Sequence, residues 1–117
     1  MSHFSALRTK LTNAEILITS LHDLGICVKT DASVRGFNGQ RVQADIVAVL
    51  DGEQDIGWSG NANGTFDMIA DLPGVASRNN LNELINSINQ KYAVNKTLAQ
   101  LQQSGLQKAN VKLVLQQ

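Results

Sequence analysis

Arg35-Gly36-Phe37-Asn38-Gly39-Gln40-Arg41-Val42-Gln43-Ala44-Asp45-Ile46-Val47-Ala48-Val49-Leu50 is the stretch whose reading decides the fold. Asn38-Gly39 is a turn pair that reaches positive φ without strain, and the run after it alternates as a half-buried strand does. Residues 34–37 and 40–50 are therefore predicted to pair as a β-hairpin. Val42, Ala44, Ile46, Ala48 and Leu50 fall on one face by parity. Arg41, Gln43, Asp45, Val47 and Val49 fall on the other, which begins polar and ends apolar.

Downstream of the hairpin, Asp51-Gly52 and the segment 61–64 are further turns, so residues 54–59 and 65–71 continue an antiparallel meander. Ile56 and Trp58 share a face with Phe66, Met68 and Ala70, while Ile69 points the other way. Pro73-Gly74 ends the sheet, because proline has no amide to donate to a ladder.

Upstream, residues 2–10 alternate weakly at Ser5, Leu7 and Thr9, as a short strand would. Thr12 with Glu15 reads as a capping box, flanked by Leu11 and Ile16 as a hydrophobic staple. The helix that follows carries Ala14, Leu17, Ile18, Leu21 and Leu24 as one apolar stripe and stops at Gly25. Residues 26–28 form a short strand and 29–33 a polar link. Beyond the sheet, Asn80 with Glu83 repeats the capping signature, and Leu81, Leu84, Ile85, Ile88 and Tyr92 make a second stripe. Its phase slips at Val94, Leu98 and Leu101, which predicts a kink or short break near Asn95. Residues 111–116 alternate as a terminal strand.

The expected fold is thus a single α+β domain over residues 1–117. It has an antiparallel twisted sheet of about five to six strands with a meander core, and two helices packed on one face. Two helices cover only one side, yet Val47, Val49, Ile69 and Val114 make the other side apolar. A second subunit, a protein partner or a folded-back loop is expected to cover it. Saddle-shaped sheets of the TATA-binding-protein type and ferredoxin-like folds are the nearest analogies, and such analogies carry no function.

Ten basic and ten acidic residues balance in 117. No broad field is available to attract phosphate backbones or anionic lipid, so neither nucleic acid nor membrane is an expected partner. The lone cysteine, Cys27, excludes an internal disulfide and reads as a buried small hydrophobe. The amino terminus lacks a secretory pattern, and a reducing compartment is expected.

Several separated motifs, in order, resemble one known family almost end to end. They are Met1-Ser2-His3-Phe4-Ser5, Asp23-Leu24-Gly25, Val34-Arg35-Gly36-Phe37, Ala44-Asp45-Ile46-Val47, Asp55-Ile56-Gly57, Ala70-Asp71, Gln90-Lys91-Tyr92-Ala93 and Leu113-Val114-Leu115-Gln116. Together they are similar to the hypothetical chloroplast reading frame thirty-five family, uncharacterised proteins of cyanobacteria and algal plastids. The resemblance implies a cytoplasmic protein of cyanobacterial cytosol or plastid stroma. It implies no activity, cofactor or catalytic residue.

Candidate chemistry is sparse. Asp51, Glu53 and Asp55 flank a turn but lack the glycine and the distant bidentate glutamate of a calcium loop. His3, His22 and Cys27 have no metal-ligand spacing, so neither a metal nor a cofactor is expected. Arg35 and Arg41 flank a glycine-bearing loop that suits an acidic partner or small anion, or simply a hairpin tip. Asp45, Asp67 and Asp71 sit on strands, where converging carboxylates serve acid–base chemistry and diverging ones protect sheet edges. Trp58 and Tyr92 are the only large amphipathic aromatics, suited to a core or a ligand platform. The sequence specifies no reaction. The leading expectation is a non-catalytic binding or assembly module acting through the sheet face or hairpin loops, with self-association included. Arg35, Arg41, Asp45, Asp55, Trp58, Asp71 and Tyr92 are its candidate contacts. The alternative is a small enzyme using strand carboxylates, Asp45, Asp55 or Asp71, with Arg35 and Tyr92 in a pocket.

Overall fold

A computed structural model describes residues 4–52, 54–71 and 79–103. The elements run β1 (Phe4–Arg8), α1 (Ala14–Asp23), β2 (Cys27–Arg35), a 3-10 turn (Phe37–Gly39), β3 (Arg41–Val49), β4 (Ile56–Gly60), β5 (Phe66–Asp71) and α2 (Asn79–Gln103). The strands form one antiparallel sheet in the order β1-β5-β4-β3-β2. The meander β2 to β5 is therefore extended at its far side by the amino-terminal strand. Among the described residues, β1 and β2 are the edges.

Both helices lie on the same face, as the two apolar stripes require. Leu17 and Leu21 of α1 and Ile88 and Tyr92 of α2 form one buried cluster with Ile46, Ala48, Ile56, Trp58 and Met68. Burying each large apolar side chain contributes about 1.5–3 kcal/mol, so this layer is the main source of stability. Trp58 is 1 % exposed at its centre.

The opposite face is covered by the chain itself. The β2–β3 ladder pairs Thr30 with Ile46 and Ala32 with Ala44, and between them Asp31 adopts φ 47°. At the same level β3 parts from β4, whose pairing is confined to Ile46, Val47 and Ala48. Beyond this point the Gly60 amide donates to Asp45 Oδ2 (2.7 Å) instead of to a strand carbonyl. The distal half of the hairpin, freed from β4, bends over the sheet. Val34 and Ala44 come down on Gly57, where an added Cβ would overlap Val34 Cγ2 and lie 2.9 Å from Ala44 Cβ. With Val47 they form a second buried cluster, against which Val49 and Ile69 are packed.

The tip reaches the far edge of the sheet. Gly36 lies against the Phe4 ring of β1, leaving no room for a side chain: an added Cβ would sit 2.5 Å from Cζ. The Phe37 amide donates to Asp71 Oδ2 of β5 at 2.7 Å. Of the covers expected for this face, the folded-back segment of the same chain is the one present.

Several expectations need correction. Val42 and Ala44 do not share a cluster with Ile46 and Ala48, because past the break in the ladder at Asp31 the distal residues pack with Val34 and Val47. Asn13, not Thr12, caps α1, its Oδ1 accepting from the Ile16 amide (3.0 Å), while the Thr12 amide donates to Tyr92 Oη. Residues 29–33 are not a link but the middle of β2, since the partner strand β3 supplies a full ladder for them. Cys27 is exposed, as it opens the edge strand β2. Helix α2 runs through residue 95 without a break. The phase slip reflects a change of partner: Asn95 Nδ2 donates to Ser20 Oγ and Asp23 Oδ2, both at 3.0 Å, as α2 crosses α1. Pro73-Gly74, Val114 and the terminal strand expected at 111–116 lie outside the described residues.

Candidate binding groove

The residues singled out from sequence are brought together in part. Arg35 and Asp55 form the centre of a network at the base of the folded hairpin. Arg35 Nε and its amide donate to Asp55 Oδ2 at 2.8 and 3.0 Å, and Nη2 donates to Oδ1 at 2.8 Å and to the Leu50 carbonyl at 3.0 Å. The Leu50 amide also donates to Oδ1 (3.2 Å), and the Asp55 amide returns a bond to the Arg35 carbonyl (2.9 Å). One carboxylate thus fastens the end of β2, the end of β3 and the start of β4. Burial, the largest single influence, pushes the Asp55 pKa up. The bonds from the Arg35 side chain, the Arg35 amide and the Leu50 amide, with the guanidinium charge, together outweigh it and hold the group below its ordinary value of 3.8.

Asp71 is 2 % exposed and lies under the hairpin tip. Its Oδ2 receives the Phe37 amide, and its Oδ1 is buried without a hydrogen-bond partner among the described residues. Asp45 is exposed and holds the Gly60 amide, and Arg41 is exposed at the start of β3. Asp45, Asp55 and Asp71 therefore answer three separate sets of backbone amides. Trp58 lies in the core. Tyr92 is 4 % exposed, and its hydroxyl oxygen accepts the amides of Thr12 and Asn13 at 3.1 and 3.0 Å, tying α2 to the entry of α1.

A concave surface does lie beside Tyr92, but without the Arg35 and strand carboxylates expected to share it. Edge strand β1, with the loop that follows it, and helix α2 enclose a groove of about 480 Å³. This lies within the size range of ligand-binding clefts. Its floor is apolar, made by Leu11, Met68, Ile85 and Tyr92, and Leu7 stands at its side 46 % exposed. Arg8, Lys10 and Lys96 complete its wall and are all exposed. Among the described residues none of these three cations has an ion-pair partner. Asp67, which stands opposite Arg8 across β5, is held by Asn61 Nδ2 at 2.9 Å. The alternation at Ser5, Leu7 and Thr9 was the only signal in the sequence, and it did not reveal that this strand would be an edge next to α2.

Comparison with known proteins agrees with the resemblance read from the motifs. A family model described as a protein of unknown function, DUF1257, matches residues 20–113. The protein called "Uncharacterized protein ycf35" of Guillardia theta is 33% identical over 128 residues, covering 99% of this chain and 97% of that one. Its namesake in Pyropia yezoensis is 25% identical over 125 residues, with the same coverage. No solved structure matches the chain. The protein belongs to the DUF1257 family, whose relatives include the ycf35 proteins.

Proposed function

We propose that the protein is a small non-catalytic binding or assembly module, and that its working surface is the groove between β1 and α2. The observation that carries this reading is one concavity that joins an apolar floor to three cations without an ion-pair partner among the described residues. The hairpin-covered sheet face is the weaker candidate, since Val34, Ala44 and Val47 are already buried there by the chain. The enzyme alternative has less support: Asp45, Asp55 and Asp71 hold separate amides, and among the described residues no carboxylate lines the groove.

We infer that the module works in cyanobacterial cytosol or plastid stroma. This rests on the name carried by its relatives, and no helix among the described residues is long and apolar enough to cross a membrane. The test is to fill the groove. Ala93 is exposed on its wall, so Ala93→Trp adds bulk without disturbing the core. Affinity capture from a cyanobacterial or algal lysate is expected to recover a partner with the wild-type chain and to lose it with Ala93→Trp. Equal recovery by both would refute the groove as the working surface.

A further inference from the structure

We propose that the groove takes an acidic, extended polypeptide segment of another protein, which adds to β1 as a sixth strand. This rests on the groove reading above and specifies the chemistry of its occupant.

The first observation is the free edge. The Thr9 amide donates to the Phe66 carbonyl of β5, so by the alternation of an antiparallel ladder the backbone groups of Ala6 and Arg8 point outward. Among the described residues no strand takes them up. An edge with unanswered donors and acceptors is a template for one more strand. The second observation is periodic. Leu7 lies toward the helix side of β1, in register with Met68, so a strand laid beside it would direct every second side chain into the apolar floor.

The third observation, charge, chooses among occupants. Arg8, Lys10 and Lys96 line the site, and among the described residues no acidic one does. After Glu83 the given sequence contains Lys91, Lys96, Lys108 and Lys112 and no acidic residue, so residues 104–117 would add charge of the same sign. A segment alternating carboxylates with aliphatic side chains satisfies all three features at once: amides at the edge, apolar groups in the floor, and carboxylates beside the cations.

Fluorescence anisotropy of the full chain with a labelled peptide of about ten residues, alternating glutamate with leucine and valine, tests the proposal. Saturable binding is expected at low salt, weakening roughly tenfold on raising salt from about 20 to about 200 mM. The Arg8→Glu, Lys10→Glu double variant should weaken it at least about thirtyfold, since it replaces two attractions with two repulsions. N-methylation of alternate peptide amides should abolish it, because strand addition needs those donors.

Binding that survives N-methylation or is indifferent to charge reversal overturns the proposal, as does a lack of binding. Binding of a single-stranded oligonucleotide in preference to the peptide at equal salt would also overturn it. So would self-association in light scattering, abolished by the double variant, which would make a second copy the occupant. A partner still lost on Ala93→Trp while the peptide fails removes the acidic strand and leaves the groove. Loss of neither removes both.

Discussion

The two faces of the sheet are shielded in different ways, and the difference separates what holds this protein together from what it offers to others. On one face, two helices bring ready-made apolar stripes, and the cluster around Trp58 forms by burial alone. On the other, a hairpin folds over its own sheet, and polar groups fix its position: the Arg35–Asp55 network at its base and the Asp71 carboxylate beneath its tip. The cleft between β1 and α2 is by contrast a concave, apolar and charged surface that no described residue fills. The hairpin network is a device of stability, and the groove is the surface we propose for recognition.

That contrast can be broken at its strongest point first. Asp55→Ala strips the carboxylate from a half-buried guanidinium and from the amides of Arg35 and Leu50. Urea denaturation should show a loss of about 3 kcal/mol, at the lower end for a severed buried pair because Arg35 retains some solvent. Gly57→Ala places a methyl group where Val34 and Ala44 already sit, with an expected loss of about 2 kcal/mol from overpacking. A tolerated Gly57→Ala would mean that the hairpin does not press on β4. Tyr92→Phe keeps the ring in the core but leaves the Thr12 and Asn13 amides without their acceptor, for about 1 kcal/mol.

Acid sharpens the same contrast. Because Asp55 is held below its ordinary value of 3.8 in the folded chain, its contribution is present above that value. It is lost as pH falls through the lower, folded-state value. The stability gap between wild type and Asp55→Asn should therefore close in that acidic range and stay constant near neutrality, as denaturation midpoints against pH would record. At the small end, Leu7→Ser and Lys96→Gln should change stability by less than about 0.5 kcal/mol while weakening any ligand of the groove.

Much of the architecture was legible because local signals agreed with one another. The Asn38-Gly39 turn, the alternation after it and the two apolar stripes fixed a meander with helices on one side, and Asn38 and Gly39 do adopt φ 58° and 75°. The fold-back was not legible beyond the need for some cover. It depends on the break in the ladder at Asp31, a turn-prone type inside a polar run that read as a link, and on an arginine and an aspartate twenty positions apart. Arg35, Asp55 and Asp71 were singled out for possible chemistry and turn out to hold the hairpin. The groove was least legible of all, because Leu7, Arg8 and Lys96 acquire a common surface only after β1 is placed at the sheet edge beside α2.

The account depends most on the hairpin lying across the sheet, and the contact between Gly36 and the Phe4 ring reports on that directly. Nuclear Overhauser spectra of the labelled protein should show strong cross-peaks between the Gly36 α protons and the Phe4 ring protons, together with a Phe37 amide shielded from solvent exchange. A Gly36 signal without any contact to Phe4, with a rapidly exchanging Phe37 amide, would mean that the hairpin stands away from the sheet. The second face would then be the open surface, and the division between a closed hairpin and an available groove would be wrong.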